Sequence, residues 1–471
     1  MIFPRALNLM LTPSFAGASA PYGMLLARFR EVEFAPAACR AVVEEVLAQT
    51  PALAAIFDPD AIGRGELGIR PEVRTPALDG WRIAFQRGEI GFAITIGHED
   101  LEGIADLIRL GVQGDDVDEF RYFAEALGED TLRFIIGEDE PPPPRWPDAG
   151  RPGVHRREHA SVLIRSRTTT VLVDPIGLQL GLPGIQAAPL SITPEQVGAI
   201  DAIAITHGHS DHFHLPSLLA HSAPDTPVIV PQVPTTSTIE PVPFAAVLEA
   251  MGQAATYAPA WHSSVTVGDI EIDVLPFYGE QPTRDAPGPA PGIRNWGNCY
   301  LLRTPELSVA LLVDSGVDPL GSMEEVGREL GSKYGSIDIA MSCLRTFGAP
   351  FFGGLAHYWT TLPFARLEEL WQQHRAGTLP SATAGPDGVA RFCKAAGVRH
   401  YLPYAHGFSA LRAPLPDIGW GAGEPSEAEA VRELAAALAA HGAATEVHAW
   451  TPGDGARVEA GRLVLEPSGP A

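Results

Sequence analysis

The sequence predicts an α/β protein in two units: a small α+β domain over residues 1–140 and a larger α/β domain over residues 154–471. Three observations predict it. The chain has 471 residues, more than one ordinary core organises. The run Pro141-Pro142-Pro143-Pro144-Arg145-Trp146-Pro147, followed by Gly150 and Pro152-Gly153, cannot continue a helix or a central strand and reads as a semi-rigid linker over 141–153. After that run the pattern changes to short strands separated by turns, then to strands alternating with helices.

In the first unit, Ala37 to Gln49 has helical spacing, and Trp81 to Ile96 reads as two strands around Gly88. Leu101 to Leu127 is helical again, with Gly128 as its stop. No nucleophile, metal-ligand cluster or phosphate loop occurs there, and a lone His98 is more often a surface residue than a catalytic one. The unit's expected work is docking, dimerisation or covering the neighbouring active site. At the N-terminus, Arg5, Ala6 to Leu11 and Ala16 to Ala20 faintly resemble a secretory signal, but Asn8 and Pro13 interrupt the apolar part. The expected location is cytoplasmic.

In the second unit, Ser161 to Arg165 and Thr168 to Val173 pattern as a hairpin-like pair, and Ala202 to Thr206 as a buried strand. Further strands are expected at Val228 to Val230, Ile270 to Leu275, Cys299 to Leu302, Val309 to Val313, Ile337 to Met341 and Arg399 to Tyr404. Helices are expected at Phe244 to Met251, Leu362 to His374 and Gly388 to Ala395. Another begins at Ser426, where Glu429 completes a capping box.

Composition narrows the function classes. The formal net charge of −24 disfavours nucleic acid and anionic membranes as partners. Arg145, Arg151, Arg156, Arg157, Arg165 and Arg167 form a local basic cluster, read most simply as a solvated face. No apolar run is long enough to cross a bilayer. Cys39, Cys299, Cys343 and Cys393 are scattered without CxxC spacing and read as reduced, buried residues.

The chemistry concentrates after the strand ending at Thr206. His207-Gly208-His209-Ser210-Asp211-His212 places three imidazoles and a carboxylate within six residues, a crowding that a shared cation relieves. Alternate side chains of a loop turn toward a common point, so His207 and His209 serve one metal while Asp211 and His212 serve a second. A polar loop of solvated histidines is the plain alternative, which so restricted an order disfavours.

HxHxDH after an apolar strand resembles the metallo-β-lactamase superfamily, which implies an αββα sandwich of two face-to-face sheets with helices outside. Glu158-His159-Ala160-Ser161 to Val173-Asp174-Pro175 resembles that fold's opening hairpin, which makes Asp174 the brace of the histidine loop. Val313-Asp314-Ser315-Gly316 resembles the position of the bridging aspartate, Asp314. The last ligand follows a late strand, and His406 in Ala405-His406-Gly407 is assigned to it. His400 lies within that strand and reads as structural, and His357, beside Tyr358 and Trp359, is the reserve.

Hydrolytic members of that superfamily supply another histidine before the bridging aspartate. Here His262 precedes the strand Ile270 to Leu275, and Pro276-Phe277-Tyr278-Gly279-Glu280-Gln281-Pro282 follows it, so Glu280 falls where a metal-facing residue is expected. A turn residue beside Gly279 and Pro282 is the alternative reading. With Asp211, Glu280 and Asp314 beside His207, His209, His212 and His406, the donor set is oxygen-rich and harder than an all-imidazole zinc site, which favours iron.

This pattern resembles the diiron aminoacyl β-hydroxylases of nonribosomal peptide assembly lines, best over Gly153 to the C-terminus. The resemblance implies two iron ions, O₂ and an external electron donor, with Asp211 and Glu280 serving catalysis as well as metal binding. It implies hydroxylation of a C–H, at the β-carbon, of an aminoacyl group carried by a carrier protein or peptide synthetase. An electron-transfer partner and a homodimer are further partners it implies. Phe277, Tyr278, Phe351, Phe352, Tyr358 and Trp359 line the pocket or belong to the core. The alternative is a dinuclear zinc or manganese hydrolase acting on a lactone, thioester, amide or phosphodiester through a metal-bound hydroxide that Asp211 orients.

Overall fold

A computed structural model describes residues 7–15, 28, 29, 31–49, 57–66, 78–87, 90–97, 101–113, 150–176, 197–209, 211–233, 244–279, 297–318, 320–346, 363–407 and 426–467. The N-terminal part holds strands β1 (Leu7–Phe15), β2 (Leu78–Arg87) and β3 (Ile90–Ile96) with helices α1 (Pro36–Gln49), α2 (Pro59–Gly63) and α3 (Leu101–Gln113). The three strands form one antiparallel sheet in the order β1-β2-β3. The apolar stretch that faintly resembles a secretory signal is thus a strand paired along its length to β2, from Leu7 opposite Arg87 to Phe15 opposite Leu78.

Beyond residue 150, the first layer of helices is α4 (Leu215–His221) and α5 (Phe244–Ala250). The first sheet is built from β4 (Gly153–Arg156), β5 (Val162–Arg165), β6 (Thr170–Val173), β7 (Ala202–Ala204), β8 (Val228–Ile229) and β9 (Thr256–Tyr257). The second holds β10 (Ser264–Val267), β11 (Ile270–Pro276), β12 (Asn298–Arg303), β13 (Ser308–Val313), β16 (Ile339–Ser342), β17 (His400–Pro403) and β18 (Glu446–Val447). A small ribbon, β14 (Val317–Asp318) with β15 (Gly321–Ser322), precedes helix α6 (Met323–Tyr334). Helices α7 (Phe364–Arg375), α8 (Gly385–Ala396) and α9 (Glu427–His441) follow, and the hairpin β19 (Gly455–Glu459) with β20 (Arg462–Glu466) closes the described chain.

The two sheets run β20-β19-β4-β5-β6-β7-β8-β9 and β10-β11-β12-β13-β16-β17-β18. Each is antiparallel on one side and parallel on the other, the parallel halves being β6 to β9 and β13 to β18. Side-chain alternation explains the layering. Val162, Ile164, Val171, Val173, Ala202 and Ala204 enter the core shared with the second sheet. Their neighbours Leu163, Leu172, Ile203 and Ile205 point the other way, onto Leu218 and Leu219 of α4 and Val247 and Leu248 of α5. Helices α6, α8 and α9 pack on one another beyond the second sheet, which completes an αββα sandwich.

Part of the N-terminal unit shares the core of the second, while Phe29, Val42, Val43, Val46 and Phe57 are buried around α1 outside that cluster. Trp81, Ile83, Leu101, Ile104 and Ile108 belong to the same cluster as α4 and α5, and Arg109 donates to the Met251 carbonyl at 3.1 Å and to Gln253 at 3.2 Å. The linker 141–149, residues 114–127 of the expected helix, His98 and His357 lie outside the described residues.

The arginine cluster corrects one expectation: Arg156 and Arg157 are buried rather than solvated. Arg156 forks onto Glu427 of α9 at 2.7 and 3.0 Å and onto the Trp450 carbonyl at 2.8 Å, tying β4 to the C-terminal segment. All four cysteines are free and buried, and burial pushes the Cys39, Cys299 and Cys393 thiols up to about 12. Among the described residues no helix is long and apolar enough to cross a membrane.

Candidate metal centre

The centre forms where strands of both sheets end. Asp174 follows β6, β7 runs into Thr206 and the histidine segment, and Asp314 follows β13. The loop after β17 reaches the same rim at Ala405, whose N–H donates to the His159 carbonyl at 3.1 Å. His159, Asp174, Val313 and Ala405 all have positive φ, between 43° and 57°. A β-branched valine in that region costs on the order of 1–3 kcal/mol, so the strand ends are held in place by their surroundings.

Asp174 organises the histidine loop. Its Oδ1 accepts the Thr206 N–H at 2.8 Å, and its Oδ2 accepts the Thr206 hydroxyl at 2.5 Å and lies 2.8 Å from His212 Nδ1. A carboxylate beside Nδ1 places the hydrogen there, so His212 turns a bare Nε2 toward Asp314, whose Oδ2 is 3.6 Å away. The Thr206 oxygen, having donated its proton, faces His207 Nδ1 at 3.1 Å, which turns His207 Nε2 to the same point, 3.7 Å from Asp314 Oδ2. His209 completes this side, with Nδ1 3.0 Å from His207 Nε2.

Asp211 sits opposite, with Oδ2 3.1 Å from His159 Nε2. His159, Asp211 and His212 thus make one group able to hold a cation, and His207, His212 and Asp314 a second that shares His212. His159 was not anticipated as a site residue. The stretch Glu158 to Ser161 signalled the fold's opening turn, and a histidine at that turn was the available clue to its position.

The electrostatics favour a cation between these groups. Burial holds His207 well below the ordinary imidazole range, and His212 and His209 act in the same direction. Burial opposes charge on His212 too, but Asp211, Asp174 and Asp314 together carry it up to about 9. Burial resists the charge on Asp211, yet His212 and His159 hold its carboxyl well below the usual carboxylate range. A divalent ion between these groups would meet the same carboxylates and take the place of a proton on the imidazoles. His212 Nε2 and Asp314 Oδ1 are buried without a hydrogen-bond partner among the described residues, as atoms awaiting a metal would be. The donor set therefore fits metal ions.

The structure brings His207, His209, Asp211, His212 and Asp314 together, and the residue before His406, Ala405, is hydrogen-bonded to the His159 carbonyl. Glu280 lies outside the described residues. The strand leading to it is described: the Phe277 ring is 5.2 Å from that of His207, and the Tyr278 carbonyl accepts the Gly316 N–H at 2.5 Å. Phe277 is fully buried and Tyr278 packs against the core, whereas Phe351, Phe352, Tyr358 and Trp359 lie outside the described residues.

Residues 169–342 match the family model of the β-lactamase superfamily domain. A curated relative, 4-amino-L-phenylalanyl-[CmlP-peptidyl-carrier-protein] 3-hydroxylase from Streptomyces venezuelae, is 29% identical over 183 residues, covering 37% of this chain. That match spans 33% of the relative's length. Among solved structures, the chain is similar to CmlA, a diiron β-hydroxylase from Streptomyces venezuelae, with a TM-score of 0.58 at 16% identity over 95% of this chain and 98% of that one. A mutant of CmlA gives the same TM-score of 0.58 at 15% identity, with 95% and 98% coverage. This likeness is one of fold. HxHxDH at the end of β7 and Asp314 after β13 thus fall within the residues, 169–342, that match the β-lactamase superfamily domain, in a fold shared with CmlA.

Proposed function

We propose that the protein is an O₂-dependent diiron monooxygenase that hydroxylates a C–H, at the β-carbon, of an aminoacyl group bound to a carrier protein. The observation that carries this reading is the exit of β11 beside His207 and Gly316, followed at once by a carboxylate, Glu280, where hydrolytic members of the superfamily use an imidazole. The likeness to CmlA and the partial match to a carrier-protein-dependent 3-hydroxylase support it.

In this reading His207, His209, Asp211, His212, Glu280, Asp314 and His406 hold a pair of iron ions. Bound there, the pair supplies reductive activation of dioxygen: one oxygen atom enters the C–H bond and the other leaves as water, with two electrons from an external donor and two protons. The chain's residues position and insulate that chemistry. Asp174 fixes the His212 ring, His159 holds Asp211, and the buried Phe277 keeps water from the His207 side. A carrier protein and an electron-transfer protein are the partners this reaction requires, and the N-terminal part, which packs on α4 just after the histidine segment, is the surface we propose for them.

The test is elemental analysis and near-ultraviolet absorption of freshly purified protein, together with Glu280→His. The expected result is iron with an oxo-bridge band, and loss of O₂ consumption in Glu280→His. A colourless zinc or manganese protein whose hydrolysis of a lactone or thioester survives that substitution would overturn the proposal in favour of a hydrolase.

A further inference from the structure

A second group of donors lies at the other end of β17. Strands β17 and β18 pair in parallel, with His400 opposite Glu446. Glu446 and His448, two residues apart on an extended segment, lie on the same side and face His400. His400 Nδ1 is 3.1 Å from His448 Nε2, and Glu446 Oε2 is 3.6 Å from the first nitrogen and 3.8 Å from the second. We infer that His400, Glu446 and His448 form a further metal site for a borderline divalent ion such as zinc, separate from the centre at His207.

The hydrogen bonding of His400 supports the assignment. Its Nε2 lies 3.3 Å from the Gly461 carbonyl, which only accepts, so the ring hydrogen is on Nε2 and Nδ1 is bare. A metal-ligating imidazole characteristically donates its other N–H to such a carbonyl, which fixes both tautomer and ring orientation. The competing account is a simple N–H···N bond from His448 to His400, and it leaves Glu446 unexplained. A carboxylate pairing with one imidazolium would close to hydrogen-bond distance on that ring, whereas Oε2 stands beyond it from both. Ligands about 2.0–2.1 Å from a tetrahedral zinc lie about 3.3 Å from one another, close to the triangle these three atoms make.

Access agrees. His400 is buried while the Glu446 side chain is 70% exposed, so an ion enters from solvent and keeps water in its fourth position. Two imidazoles and one carboxylate suit zinc or copper better than calcium or magnesium. Strand β18 is only two residues long, and Gly461 belongs to the turn of the β19–β20 hairpin. An ion here would clip an edge strand and the turn of the opposite sheet to β17, a structural role that stabilises the C-terminal segment.

The test is zinc titration of the full chain with its first centre already loaded, that metal being counted in parallel by elemental analysis. The parent protein should bind one more zinc equivalent than His448→Ala, at unchanged first-centre content. Zinc should raise the Tm of the parent and not of His448→Ala. Glu446→Gln, at an exposed position that does not threaten folding, should weaken the extra binding by at least about tenfold. Cupric ion in place of zinc should give an electron paramagnetic resonance signal with coupling to two nitrogens, absent in His448→Ala. Equal zinc binding and equal Tm shifts in the parent and Glu446→Gln, or a copper signal unchanged in His448→Ala, would overturn the assignment.

Discussion

Asp174 Oδ2 stands 2.8 Å from His212 Nδ1, with both side chains fully buried, and the same oxygen takes the Thr206 hydroxyl at 2.5 Å. One carboxylate thereby sets the ring of His212 and, through Thr206, the ring of His207. Asp174→Ala should lower metal affinity by about 10–100-fold. It should also cost about 1–3 kcal/mol, because the Thr206 N–H loses its acceptor. Metal content after dialysis and denaturant unfolding check the two effects separately; full metal retention would remove Asp174 from the role of brace.

His159→Phe keeps a ring in the opening turn but removes the nitrogen 3.1 Å from Asp211 Oδ2. Asp211 then loses the contact that orients it, and affinity for the ion beside it should fall by about tenfold or more. His159→Gln should recover part of the loss by offering a donor. Calorimetric metal titrations of the two variants compare them, and equal affinities in both and in the parent would show that His159 merely packs.

Gly316 is the third residue of Asp314-Ser315-Gly316, and a Cβ there would strike the Ala382 carbonyl and the Thr383–Ala384 peptide. Backbone has to move, and Gly316 N–H also anchors the Tyr278 carbonyl ahead of position 280. Gly316→Ala should therefore displace Asp314 and the exit of β11 together, with a loss of about 1–3 kcal/mol and of metal content. Unchanged stability and metal stoichiometry would contradict that close approach.

Asp273 provides the pH-dependent case. Burial alone would raise its pKa, but hydrogen bonds from Ser264 and Tyr334, at 2.7 Å each, and the Lys333 and Arg303 charges hold it below the ordinary carboxylate value. A carboxylate with a depressed folded pKa contributes stability above its unfolded pKa, about 4, and loses it as pH falls through the folded value. Asp273→Asn should thus be less stable than the parent by about 1–3 kcal/mol at pH 7, with the gap narrowing below about pH 4. Urea titrations of both proteins at the two pH values measure the gap; a constant difference would mean that charge at Asp273 is irrelevant.

Much of this architecture was legible because its signals are local. Short continuous apolar runs in Val162–Arg165, Thr170–Val173 and Ala202–Ala204 mark strands covered on both faces, and Ser426 with Glu429 marks a helix start that forms as a capping box. The same Ser–x–x–Glu signal at Ser322 and Glu325 opens α6 and was passed over amid the charged residues that follow it. Strand β1 was obscured because its apolar residues mimic a leader, and β18 and β20 are short edge strands, with β19 next to the edge, whose pairing is decided by distant partners. In the site, crowding made His207 to His212 visible. His159 was less so: its place in the opening turn was the one clue, and its meeting with Asp211, 52 positions later, is settled only by the fold.

Strand β19 hydrogen-bonds to β4, Gly455 opposite His155 and Ala456 opposite Val154. During synthesis, then, the outer edge of β4 waits for a partner translated about 300 residues afterwards, the difference between those paired positions. The histidine loop emerges from the ribosome long before the sandwich can shut behind it. A chain stalled before residue 455 would leave the outer edge of β4 unpaired, an open sheet edge beside the hairpin that leads into Asp174.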